Sequence, residues 1–268
     1  MGIIENYDFW RDSVLALVIA SITLSYLGVW ASLKKVVYQP LAISQISSLG
    51  VILIFFINEK FKLSIASEIG AIVLALLMSF YFSSRKSGAR EAEVYLYIFA
   101  SALIFLLGNF IRQDLHDIQS ILFGDSVLIE FKQIIYLLIA SVLVFIIYIL
   151  FYKKFLYISF DRDGSAASGF NAYKYNVIIY MSFAIIISIS SNTIGALPTF
   201  GIMIIPALSS LNMVKSMRMA FTLAIFISLF SSISGYFLAF TKELPVGATI
   251  VAISSTIYLI TLIFKKNS

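Results

Sequence analysis

Nine apolar runs, near 13–33, 40–58, 64–84, 93–111, 133–152, 176–191, 193–211, 219–240 and 246–264, take up most of this 268-residue chain. A helix needs about 20 such residues to cross the hydrocarbon core of a bilayer. Lipid also tolerates only backbones that satisfy their own hydrogen bonds. The chain therefore reads as all-α, a polytopic integral membrane protein of eight or nine transmembrane helices. The count turns on Ser191-Asn192-Thr193, where two apolar runs meet with almost no polar spacer. A tight turn, a broken helix or one re-entrant unit would each fit there.

Composition agrees. Hydrophobic residues make up 60% of the chain and charged residues 12%, a balance that no soluble domain of this size could carry on its surface. The chain has no cysteine, which excludes disulfides, thiolate metal sites and iron–sulfur clusters. Its acidic start, Met1-Gly-Ile-Ile-Glu-Asn-Tyr-Asp8, lacks the basic region and cleavage site of a secretory signal, so the first span is expected to stay in place. Tyr7 stands where an N-terminal acylation pattern wants Ser or Thr, and that pattern is set aside.

The net charge of +5 is explained by topology. Lys34, Lys35, Arg85, Lys86, Arg90, Lys153, Lys154, Arg162, Lys174, Lys215, Arg218, Lys265 and Lys266 fall on alternate connections, and the other six basic residues fall on the opposite side. By the positive-inside rule these thirteen face the cytoplasm, with the N-terminus outside and the C-terminus inside. Glu5, Asp8, Asp12, Glu59, Asp114, Asp117, Asp125 and Glu243 then lie outside. Little basic charge is left over for a nucleic-acid partner. No soluble domain, low-complexity tail or internal repeat interrupts the pattern, so residues 1–268 read as a single membrane domain.

Several chemistries are absent. No Gly-x-x-x-x-Gly-Lys-Ser/Thr loop occurs, so ATP hydrolysis by that route belongs elsewhere, and the chain is not read as an enzyme. His116, the only histidine, sits between Asp114 and Asp117 and reads as a solvated loop residue, since one imidazole and two loop carboxylates fix no coordination geometry. Glu68 begins the third span as an interfacial anchor; Asp125 and Glu130 precede the fifth. Without paired carboxylates or buried cations in mid-membrane, an ion-coupled carrier is disfavoured. Carbonyls at helix breaks keep it possible in principle.

Two spans carry polar or helix-breaking features. In Gln39-Pro-Leu-Ala-Ile-Ser-Gln-Ile-Ser-Ser48, the side chains of Ser44, Gln45 and Ser48 are candidates to line a passage. Serines equally serve close helix packing, whereas Gln45 costs more to bury and is expected to face the interior. In Ile194-Gly-Ala-Leu-Pro-Thr-Phe-Gly-Ile-Met-Ile-Ile-Pro-Ala207, Pro198 and Pro206 each delete a backbone donor and are expected to bend a path-lining helix, with Thr199 beside them. A kink absorbed by neighbouring helices is the alternative.

The stretch Phe160-Asp-Arg-Asp-Gly-Ser-Ala-Ala-Ser-Gly169 is a compact polar loop between apolar runs. Together with Gly28-Val-Trp-Ala-Ser-Leu-Lys-Lys35, Leu122-Phe-Gly-Asp125, Gly195 with Ile204-Ile-Pro-Ala207, Gly235-Tyr236 and Leu244-Pro-Val-Gly247, it carries a resemblance. In order and spacing the chain resembles the membrane permease subunit of bacterial ABC importers for manganese, zinc or iron, most specifically over 157–264.

The resemblance implies a plasma (inner) membrane location and a passage built from two permease subunits, alike or different. It further implies a cytoplasmic ABC ATPase dimer that holds the ATP and Mg, and an extracytoplasmic metal-binding protein; no cofactor is expected on this chain. The loop at about 157–175 resembles the segment that docks into the ATPase, which places Phe160, Asp161, Arg162, Asp163, Gly164, Ala167 and Gly169 in that role. Small residues there allow close backbone approach, and the charged ones offer polar contacts.

One departure matters. Where the family reads like Gly-Asp-Ala-Leu-Ser-His-Ala, this chain has Pro40-Leu-Ala-Ile-Ser-Gln-Ile46, so Leu41 stands for the Asp and Gln45 for the His. Leucine offers no ligand and an amide only a neutral oxygen, so metal ligands are left unassigned. A heterodimer with a sister permease, other metal-handling groups or a changed substrate would each explain it. A non-transporting scaffold or sensor that kept the fold is the rival reading from another class, and an ion-coupled secondary carrier the third.

Overall fold

The computed structural model describes residues 7–84, 90–110, 129–160 and 171–265. These form nine helices: α1 (Tyr7–Leu33), α2 (Gln39–Phe61), α3 (Ser67–Ser84), α4 (Arg90–Phe110), α5 (Phe131–Phe160), α6 (Ala172–Ile194), α7 (Ala196–Met213), α8 (Met217–Lys242) and α9 (Val246–Lys265). All nine are long and apolar enough to cross a membrane. No strand occurs among the described residues.

The join between the sixth and seventh runs is resolved as two helices, and the break lies beyond the expected Ser191-Asn192-Thr193. Helix α6 continues through those residues to Ile194, and Thr193 Oγ1 is satisfied within it by donating back to the Ile189 carbonyl at 2.8 Å, a bond compatible with helical backbone. The chain turns at Gly195, whose φ of 94° and ψ of 157° lie in a region essentially closed to side-chain-bearing residues. Pro198 consequently falls in the first turn of α7, where its missing N–H costs nothing. The expected bend at Pro198 is thus replaced by an interruption at Gly195. Pro206 does lie inside α7 and deprives the Ile202 carbonyl of its helical donor, yet α7 runs as one helix to Met213.

Helix α5 is longer than its apolar run. It kinks at Phe151 (φ −109°, ψ 15°) and continues to Phe160. The continuation places Phe155, fully buried, against Tyr148 and Trp30, and α1, α5 and α8 meet in this aromatic cluster with Tyr26 and Phe221. Edge-on ring pairs of this kind each add about 0.5–1.5 kcal/mol beyond the area they bury.

The helices sort into centre and periphery. Over their most apolar 18 residues, 67% of the positions in α1, α2 and α6 and 61% in α7 are buried, against only 22% in α4, which leans on α2. In water the exposed Ile, Leu and Phe of α3, α4, α5 and α9 would be intolerable; against lipid they are ordinary. Close approach at the centre depends on small residues. A Cβ on Gly28 in α1 would overlap the Met203 carbonyl of α7, and Gly50 of α2 and Gly70 of α3 touch backbone to backbone.

Candidate functional site

Helix α2 presents Ser44, Ser47 and Ser48 at helical i, i+3 and i+4 spacing, and α6 presents Ser188 and Ser191 one turn apart. The two rows form a seam. Ser47 Oγ donates to Ser188 Oγ at 3.0 Å, and Ser48 Oγ and Ser191 Oγ are hydrogen-bonded at 3.2 Å, either hydroxyl being able to donate. Ser191 Oγ also reaches the Ser44 carbonyl at 3.5 Å, while the Ser44 hydroxyl turns back to the Leu41 carbonyl at 2.9 Å. All five serines are buried. Each such bond between helices in lipid contributes roughly 0.6 kcal/mol, so the seam holds two helices in register without locking them.

Gln45 differs from its serine neighbours. It is buried, as expected of an interior residue, but its Oε1 has no hydrogen-bond partner. An amide oxygen left so in a dry interior costs about 1–3 kcal/mol. Leu41, one turn earlier, is half-buried and offers no polar atom. Among the described residues, no group of three His, Cys, Asp or Glu side chains could hold a metal ion. Leu41 and Gln45 supply one neutral oxygen between them, too little to replace the water around a divalent cation.

Thr199 is buried in the first turn of α7, and its Oγ1 donates to the Gly195 carbonyl at 2.7 Å. Pro198 and Pro206 are also buried, and α7 packs on both α2 and α6. The structure thus links Ser48 and the Ser44 carbonyl through Ser191, with Gln45 between them on α2, and places Pro198, Thr199 and Pro206 on the helix alongside.

At the opposite end of α6 lies a polar cluster that the sequence did not announce. The helix starts with Asn171, whose Oδ1 accepts from the Lys174 N–H at 3.1 Å. Lys34 Nζ donates to Asn176 Oδ1 at 2.7 Å, and Asn176 Nδ2 donates to the Ser83 carbonyl at 2.9 Å. Lys154 Nζ donates to the Tyr175 hydroxyl at 2.7 Å and sits over its ring. The start of α6 is therefore tied to α1, α3 and α5. The only signal for this in the sequence was Asn176 inside an apolar run.

Of the residues in the polar loop, Phe160 ends α5 and is exposed. Asp161, Arg162, Asp163, Gly164, Ala167 and Gly169 lie outside the described residues, as do His116, Asp114, Asp117 and Asp125. On either side of residues 161–170, Phe160 ends α5 and Asn171 caps the start of α6.

Comparison with known proteins places this architecture. The model of the ABC 3 transport family matches residues 6–265. The chain is 22% identical to the manganese transport system membrane protein MntC of Halalkalibacterium halodurans over 98% of its length and 89% of that protein. It is 25% identical to the high-affinity zinc uptake system membrane protein ZnuB of Haemophilus influenzae, covering 97% and 99% of the two chains. In structure it resembles a chain of PsaBC from Streptococcus pneumoniae, solved in complex with Fab, with a TM-score of 0.81 at 19% identity and coverage of 96% and 93%.

Proposed function

Since the chain belongs to the ABC 3 transport family, we propose that it is the permease subunit of an ATP-driven importer for a divalent transition metal, manganese, zinc or iron. The manganese and zinc systems of its relatives support that substrate class. In this reading it pairs with a second permease, docks on a cytoplasmic ATPase dimer carrying ATP and Mg, and receives metal from an extracytoplasmic binding protein. It lies in the bacterial plasma membrane with its N-terminus outside and its C-terminus in the cytoplasm.

The observation that carries the mechanism is the course of α6. One unbroken helix runs from Asn171, at the end of the polar loop, to Ser188 and Ser191 in the seam with α2. Its start is gripped by Lys34, the Ser83 carbonyl and Lys154. A push on the loop by an ATPase would move α6 as a rod about that anchored start. At its far end, the weak serine bonds can exchange partners and so shift α2 with Gln45. Docking is assigned to Phe160, Asp161, Arg162, Asp163, Gly164, Ala167 and Gly169; the path is assigned to Ser44, Gln45, Ser48, Pro198, Thr199 and Pro206.

Leu41 and Gln45 bear on the partner. A passage that moves a divalent cation past this level needs charged or imidazole ligands from somewhere. The lone Gln45 Oε1 fits a heterodimer in which a sister permease brings them.

Replacing Ala167 and Gly169 together with tryptophan tests the docking assignment. Import coupled through this loop requires that the double variant insert normally, lose the co-purifying ATPase and stop accumulating radiolabelled manganese or zinc. Unchanged uptake with the ATPase still bound would show that the loop does not couple.

A further inference from the structure

Helices α3 and α5 stand apart over α6 and leave a groove of about 790 Å³. Its walls are almost wholly apolar, built from side chains such as Ile72, Ile139, Leu143 and Ile185. One end is different. Glu68, in the first turn of α3, and Lys132, the second residue of α5, line the same mouth with Gln133 and Asn192. Opposite charges thus face one apolar slot, yet among the described residues neither Glu68 nor Lys132 makes an ion pair. Lys132 Nζ lies 5.5 Å from the centre of the Tyr136 ring, an aromatic side chain one turn further in, as is common at the membrane–water boundary.

We propose that this groove is a binding site for a phospholipid with an ethanolamine headgroup. The acyl chains would lie along Ile139, Leu143 and Ile185, where apolar contact suits lipid and offers nothing to water. The phosphate would meet Lys132, and the ammonium, with three N–H donors, would meet the Glu68 carboxylate. The two charges of the headgroup match the two at the mouth. Choline carries the same charge without N–H donors, and glycerol lacks the positive charge, so both match less well. The floor gives the site a consequence: Ser188 lines the groove and also accepts from Ser47 in the α2–α6 seam. A bound lipid therefore lies one side chain from the candidate path. This inference does not depend on the transported substrate.

The test is native mass spectrometry of the full chain in detergent, titrated separately with dioleoyl phosphatidylethanolamine, phosphatidylcholine and phosphatidylglycerol. Phosphatidylethanolamine is expected to bind about tenfold more tightly than phosphatidylcholine, the value of a charge-assisted hydrogen bond. Glu68→Gln should erase that preference while leaving phosphatidylglycerol binding intact. Lys132→Gln should weaken phosphatidylethanolamine about tenfold, and Lys132→Arg should retain it. Leu143→Trp, which fills the slot, should weaken all three lipids. The charged residues sit at helix starts, so an unchanged size-exclusion profile separates lost binding from misfolding. Equal binding of the three lipids, or a preference untouched by Glu68→Gln and Lys132→Gln, overturns the proposal. So does efficient disulfide formation between two copies of an Ile139→Cys variant in native membranes, which would mean that protein covers the groove.

Discussion

Gln45 is the residue on which the chemistry turns. A buried amide oxygen without a partner burdens the isolated chain, so Gln45→Leu should raise its stability by about 1 kcal/mol in thermal unfolding. If Gln45 lines the proposed path, the same change should reduce metal uptake by the assembled importer. Loss of stability instead would mean that the amide is satisfied within the chain. A second expectation concerns the pair: Leu41→Asp with Gln45→His should be tolerated and should add manganese or zinc affinity, since carboxylate and imidazole suit those ions. If the proposed sister permease carries an Asp and a His at these positions, changing them should abolish uptake. Tight metal binding by the wild-type chain alone, lost in Gln45→Ala, would instead make Gln45 a ligand in its own right. The burial of Gln45 was legible from its cost in lipid. Its orphaned oxygen was not, because that depends on which side chains α6 and α7 bring near it.

At the scale of the helices, the break between α6 and α7 shows what a sequence conceals. Two prolines drew attention as the points where the seventh span should bend, but the interruption lies at Gly195, and Pro198 occupies a first turn that needs no donor from it. Thr193 bonds back one turn and Ser191 bonds across to α2, so both hydroxyls are satisfied without a break, and polarity alone did not mark the boundary. Gly195→Ala should cost about 1–3 kcal/mol of stability because of its backbone conformation. Pro198→Ala should cost less than about 1 kcal/mol, since the regained N–H lies in a turn that lacks acceptors. The reverse ranking in chemical unfolding would move the break to the proline. Cysteine scanning of 195–207 is clean in a chain without cysteine. Reactivity toward small aqueous thiol reagents is expected on the side of α7 facing α2 and α6. Uniform protection in every nucleotide state would remove α7 from the path.

For the molecule as a whole, repeated apolar runs and alternating basic connections made the all-helical membrane fold legible before any coordinates, because lipid allows so few alternatives. Which helices form the centre was not legible: α1 and α5 are both strongly apolar, yet only α1 is mostly buried. That sorting rests on contacts between distant residues, such as Gly28 against the Met203 carbonyl and Trp30 against Phe155. The anchored α6 rod depends on distant contacts in the same sense, since Ser83, Lys154 and Asn176 come from three helices and Lys34 from the turn after α1. The most direct test of ATP-driven import is accumulation of radiolabelled manganese or zinc by proteoliposomes holding this chain, a sister permease, the ATPase and the binding protein. Accumulation should require ATP on the ATPase side and should vanish when this chain is omitted or carries the paired tryptophans at Ala167 and Gly169. Uptake driven by an imposed ion gradient without ATP would make the chain a secondary carrier, and undiminished uptake in its absence would reduce it to a scaffold.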